Sequence, residues 1–177
     1  MRQITGIAVL LAMLLAVGGC DSLTTSFDTT LRTTIQAPVE QTGEVKDGLK
    51  DATLYPFSVT HVLDVQDNDR IKDYIDRIRE IEVESVKCTF TGIPSGETVT
   101  ELDISFQPVN VKVSLANLSN GDVVTLDLTH DLLNTISTHL TDNKKITVVI
   151  SGKATYAPMV LSTLIELPVK VTAGVLN

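Results

Sequence analysis

The sequence predicts a mostly β chain, folded as two antiparallel sheets packed face to face. Three observations predict it. Thr and Val, both β-branched strand formers, make up about a quarter of the 177 residues. Apolar residues recur with a period of two in seven or eight short runs. The period switches to that of a helix in only two places.

Taken in chain order, the first run places Phe27, Thr29, Leu31, Thr33 and Ile35 on one face. The second does the same with Phe57, Val59, His61, Leu63 and Val65. The third starts with Ile81 and Val83, then changes phase to Val86, Cys88 and Phe90, the signature of a β-bulge. Gly92 to Gly96 mark a turn. The fourth run carries Leu102, Ile104 and Phe106, and the fifth Val109, Val111, Val113 and Leu115. Asn120-Gly121 then predicts a two-residue hairpin, with Val123 to Leu128 returning antiparallel as a sixth strand. The seventh run carries Ile146, Val148 and Ile150, with Ala154 and Tyr156 beyond Gly152. The eighth carries Thr163, Ile165, Leu167, Val169 and Val171.

Two segments read as helices. Ile71, Tyr74, Ile75 and Ile78 fall at i, i+3, i+4 and i+7, with Asn68 or Asp69 as cap. Leu132, Leu133, Ile136 and Leu140 form the second stripe, with Thr129 or Asp131 as cap. The polar positions of that second helix, Asn134, Ser137, Thr138 and Thr141, give it ordinary propensity at best, so it needs tertiary packing. The whole reads as a two-sheet β-sandwich, Ig-like in general form, with two short helices as crossovers. Residues 38–54 read as a long surface loop. No Pro-, Gly- or Ser-rich linker divides the chain, so residues 26–177 are expected to be one domain.

Charge sets the first bound on function. The formal net charge is −8, with 14 Lys and Arg against 22 Asp and Glu. Phosphate-rich partners need cationic side chains, so no nucleic-acid partner is expected. Aromatics are 4% and Trp is absent, which is poor for stacking on bases or sugar rings.

The N-terminus reads as a targeting segment, residues 1–19. Arg2 is followed by an uncharged apolar run from Ile4 to Val17. As a helix that run is about 21 Å long, short of the roughly 30 Å hydrocarbon core of a bilayer. It ends in Val17-Gly18-Gly19-Cys20. These residues resemble the lipobox of bacterial lipoprotein precursors. The resemblance implies lipid attachment at Cys20, a lipidated tether over 20–25, and a membrane reached through the lipid and not through a spanning helix. The lipobox, the strand at Phe27-Asp28-Thr29-Thr30, the segment Tyr74 to Ile78 and the run Leu167-Pro168-Val169-Lys170-Val171 together resemble small β-sandwich lipoproteins of Gram-negative envelopes. That implies a lipid-anchored protein of the bacterial cell envelope, at the outer membrane, with the leaflet open.

Constellations for chemistry are sparse. Cys88 lies alone in an alternating run and reads as a small buried hydrophobe. A zinc site needs three or four converging ligands. His61, His130 and His139 do not have such spacing, so no metal is expected; His61 reads as a satisfied, partly buried histidine. Asp64, Asp67, Asn68 and Asp69 could gather oxygen ligands for calcium, but they lack the loop Gly and terminal Glu of an EF-hand and read as a turn. Glu80, Glu82 and Glu84 read as the solvated face of a strand. No nucleophile elbow or phosphate-binding loop occurs, so no catalytic residue and no cofactor is assigned. The expectation is a non-enzymatic binding or structural module on the envelope, meeting a protein or glycan partner. A carrier of an apolar ligand is the alternative and an uncharacterised hydrolase the second; an internal cavity would favour the carrier.

Overall fold

The computed structural model describes residues 23–41 and 54–175. Its elements run β1 (Thr24–Val39), β2 (Tyr55–Asp64), β3 (Ile78–Val83), β4 (Lys87–Thr91), β5 (Val99–Gln107), β6 (Val111–Leu118), β7 (Val123–Thr125), α1 (His130–Asn143), β8 (Lys145–Ala154) and β9 (Met159–Gly174). One sheet has the order β1-β9-β4-β7, with β3 also against β9; the other has the order β2-β8-β5-β6. All pairings are antiparallel. Strands β3 and β4 are two halves of one broken strand along β9. Counted that way, eight strands take the order of a jelly roll, the Greek-key form of the expected sandwich, with every connection crossing between the sheets except the β5–β6 hairpin.

Alternation decides what lies inside. Leu31, Ile35, Ala37 and Val39 of β1 are buried, as are Leu161, Ile165, Leu167, Val169 and Val171 of β9, while their neighbours point out. From the other sheet come Leu102, Ile104 and Phe106 of β5 and Ile146, Val148 and Ile150 of β8. These join one continuous apolar cluster. Each such Val, Leu, Ile or Phe side chain contributes about 1.5–3 kcal/mol when fully buried.

Four readings of the sequence change. The tether expected over 20–25 is already strand at Thr24 and Thr25, which pair with Gly174 and Ala173. The loop expected from residue 38 begins later, since Pro38 and Val39 belong to β1; residues 42–53 lie outside the described residues.

The Asn120-Gly121 hairpin does not form. Strand β6 lies in one sheet and β7 in the other. The turn is drawn onto the end of β4: the Gly121 N–H donates to the Phe90 carbonyl at 2.7 Å, the Phe90 N–H to the Asp122 carbonyl at 2.9 Å, and the Gly92 N–H to Asn120 Oδ1 at 2.9 Å. Gly92 has φ +87°, and a Cβ there would stand 2.2 Å from the Val160 carbonyl oxygen, so only glycine fits.

The first predicted helix is two 3-10 turns, Val65–Asp67 and Lys72–Arg77, with Ile78 already in β3. Tertiary side-chain bonds override the helical spacing. Asn68 Nδ2 donates to the Thr30 carbonyl at 2.9 Å, and its Oδ1 accepts from the Arg70 N–H at 3.0 Å, so it shapes a turn and does not cap a helix. Arg77 donates to the carbonyls of Gly174 and Asp73.

The second helix is as expected. The Thr129 hydroxyl accepts from the Leu132 N–H, and Lys144 closes the C-terminus at φ 60° with its N–H on the Leu140 carbonyl. Ile136 and Leu140 are buried. Its polar residues have a second use. The Val83 N–H donates to Ser137 Oγ and the Ile81 N–H to Thr141 Oγ1, each at 2.8 Å. The helix therefore fills the hydrogen-bonding edge of β3. The match is geometric: four helical residues rise about 6 Å and two strand residues about 6.7 Å.

Candidate functional site

A concavity of about 670 Å³ opens on the outer side of β1 where the 3-10 segment folds over its edge. Its walls carry the carboxylates Asp28, Asp64, Asp67, Asp69 and Glu84 and the guanidiniums Arg32 and Arg70. Most of these groups already have structural work. Asp64 Oδ1 accepts from the Gln66 N–H at 2.9 Å. Arg70 donates to the Asp28 carbonyl at 2.9 Å and lies over the Phe27 ring, which packs on Tyr74. Arg32 Nε is 2.9 Å from Glu166, whose other oxygen is 3.9 Å from Lys87. Lys72 is 2.7 Å from Asp69; the hydrogen bond and the charge hold the Asp69 carboxyl below its ordinary range and raise the Lys72 ammonium above its own. This is a solvated, mixed-charge cleft in which Asp64 serves a turn and Asp69 pairs with Lys72. Among the described residues, no group of three or more His, Cys, Asp or Glu is gathered to hold a metal ion.

The other singled-out residues are dispersed. His61 is half-buried on β2 and its Nε2 is 2.7 Å from the Thr33 hydroxyl of β1, a polar link between the two sheets. His130 opens α1 and is exposed; His139 sits nine residues on, its Nδ1 3.1 Å from Asn143 Nδ2. Glu80, Glu82 and Glu84 are all exposed along β3 and its end. Cys88 is fully buried, and desolvation pushes its thiol up to about 12, so it stays protonated and unreactive at neutral pH. Cys20 and the targeting segment 1–19 lie outside the described residues. Among the described residues, no helix is long and apolar enough to cross a membrane.

A different feature stands out on the outer face of the β1-β9-β4-β7 sheet, and sequence periodicity alone did not show it. Register aligns three rows across the strands: Pro38 with Val160; Gln36, Ser162 and Thr91; then Thr34, Leu164, Thr89 and Val123. None of these nine side chains is charged, and Val160 and Val123 are 49% and 55% exposed. The next row is Arg32, Glu166, Lys87 and Thr125, and beyond it Asp28 opposes Lys170 and Lys170 opposes Glu82. One half of the face is thus neutral, and the other alternates in sign. The row structure requires the strand order, which is why the sequence could not reveal it.

No family model and no curated protein matches the chain. Solved structures do. The decameric BFDV capsid protein aligns at TM-score 0.48 and 9% identity, covering 83% of this chain and 99% of its own. Desmodium yellow mottle tymovirus aligns at 0.43 and 10%, covering 100% and 95%. Cocksfoot mottle virus aligns at 0.42 and 13%, covering 100% and 97%. These are virus structures, and none is an envelope lipoprotein. On that finding the expected lipid-anchored envelope module is withdrawn, together with its keywords, its outer-membrane location, its membrane and glycan partners and the exclusion of nucleic acid. At these scores and identities the likeness carries no function over to this chain. The apolar-carrier and hydrolase alternatives are withdrawn with it, and the 670 Å³ concavity carries charged side chains.

Proposed function

We propose that this chain is a non-catalytic structural subunit that works by burying surface against other copies of itself. The uncharged half of the outer β1-β9-β4-β7 face is the observation that carries this reading. Interface cores are depleted in charged residues, whereas exposed surfaces are normally rich in them. With a formal net charge of −8, two copies repel at long range. They meet closely only where charge is absent or matched, and the rows of Thr34 and Gln36 supply such a place. Leu164 and Val160 are its apolar anchors. The jelly-roll order agrees with the reading, since that architecture builds shells, but it also hosts lectins and cupins and does not choose among them.

Sedimentation velocity of the full chain over a range of concentrations tests it. The expected result is a species heavier than the monomer that grows with concentration. Leu164→Lys and Val160→Glu should each reduce that species without lowering the melting temperature, because both side chains point outward. A chain that stays monomeric throughout, or variants that assemble as the parent does, would overturn the reading.

A further inference from the structure

Among the described residues, the sheet edges differ in how they are guarded. On β1 the outward carbonyls of Asp28 and Thr30 are taken by Arg70 and Asn68, Arg32 adds a charge, and Pro38 has no N–H to offer, which leaves the stretch at Thr34 and Gln36 between them. On β3 the outward N–H groups end on Ser137 and Thr141. Strand β6 carries Lys112, follows Asn110 and contains Asn117, both at positive φ, and β7 is only three residues long.

Strand β2 is different. The Val65 N–H donates to the Lys144 carbonyl at 2.8 Å, directly across the ladder with β8. In an antiparallel pair this phase turns the odd residues of β2 toward β8 and the even ones away. The backbone groups of Ser58, Thr60 and Val62 therefore face the free edge. Among the described residues they meet no partner, and all three residues are exposed, Val62 at 47%. None of the three carries a charge; Pro56 and Asp64 guard only the two ends of this stretch. An unguarded edge of this kind is a template for another strand.

We propose that β2 pairs antiparallel with β2 of a second copy about a two-fold axis at Thr60. The inference rests on the reading of the chain as a self-associating subunit and names one of its contacts. Residues 58 and 62 are equidistant from 60, so the N–H of Ser58 meets the carbonyl of Val62 in the other copy, the reverse bond forms by symmetry, and Thr60 pairs with itself. An isologous contact needs such self-complementarity. It joins two four-stranded sheets into one of eight strands. The neutral edge also lets two anionic copies approach, which a charged edge would prevent.

Hydrogen exchange of the full chain, read amide by amide at low and high concentration, is the test. Ser58, Thr60 and Val62 should exchange at least about tenfold more slowly in the heavier species. Val62→Lys and Thr60→Pro should each raise the concentration at half-association by about tenfold or more. Val62→Lys leaves the backbone intact, so it reports even if Thr60→Pro fails to fold. Equal exchange in monomer and heavier species would overturn the edge pairing. So would protection at constant mass, which would mean that the chain covers its own edge. Loss of association with Leu164→Lys but not with Val62→Lys would sink the edge and leave the face standing; the opposite pattern would do the reverse.

Discussion

The backbone N–H of Glu84 donates to the carbonyl of Pro168 at 3.0 Å, across the break between β3 and β4. Proline is normally excluded from a central strand because it cannot donate to the ladder. Strand β9 is central, yet Pro168 sits in it. Val83 pairs with Val169 and Lys87 with Glu166, so Glu84, Ser85 and Val86 oppose only Leu167 and Pro168. The missing N–H falls at this bulge, where the ladder is already interrupted. Glu84→Pro removes the one donor that bridges the break and should cost about 1–3 kcal/mol. Glu84→Ala keeps the backbone bond and should stay within about 0.5 kcal/mol of the parent. Urea unfolding midpoints of the two variants check the contrast.

The closure of the β3 edge by α1 makes a second prediction. Ser137→Ala leaves the buried Val83 N–H without an acceptor, and Thr141→Val does the same to Ile81. Each should destabilise by about 1–3 kcal/mol, the penalty for an unpaired buried donor. The sum should fall short of additive if the helix lifts away once one bond is lost. Amide exchange at Ile81 and Val83 should quicken in the matching variant before other core amides respond.

How far the sequence reached follows from which forces it displays. The period of two put Phe27 to Ile35, Phe57 to Leu63 and Thr163 to Val171 on the correct faces, because burial on one side of a sheet is written residue by residue. The phase change between Val83 and Val86 located the bulge for the same reason. Thr129 marked the start of α1 through local capping. The failures are tertiary. Asn120-Gly121 carries the local code of a hairpin, but the hydrogen bonds to Phe90 and Gly92 draw it to the opposite sheet. Ile71 to Ile78 have helical spacing, but Asn68, Arg70 and Arg77 tie the segment to the ends of β1 and β9. The neutral rows of Thr34 and Gln36 and the open edge of β2 depend on which strands are neighbours, and a single sequence does not print its strand order.

Thr163 supplies a third prediction. It points inward between Ile35 of β1 and Phe90 of β4, it is fully buried, and its hydroxyl has no hydrogen-bond partner among the described residues. An unpaired buried hydroxyl costs about 1–3 kcal/mol. Thr163→Val keeps the branched shape and removes that cost, so it should raise the melting temperature. Thr163→Ser keeps the hydroxyl and opens a methyl-sized void, so it should lower it. A calorimetric series of the three proteins decides the order.

Cys88 provides the pH dependence. Burial raises its thiol from 9.0 to about 12, because the folded core resists the thiolate. The unfolded chain ionises first as pH rises. The folded state then binds the extra proton, so stability is intact below about pH 9 and declines as pH climbs toward 12. Three pKa units correspond to an upper limit of about 4 kcal/mol by linkage. Cys88→Ala lacks the titrating group and should flatten this part of the stability curve, at the cost of a small cavity that lowers stability at every pH. Unfolding free energies between pH 8 and 11 for the two proteins should therefore converge as pH rises, and parallel curves would show that other groups control the alkaline limb. The same burial predicts that a thiol reagent at pH 8 modifies Cys88 only as fast as the core opens, so its rate should match amide exchange at the paired Ile165.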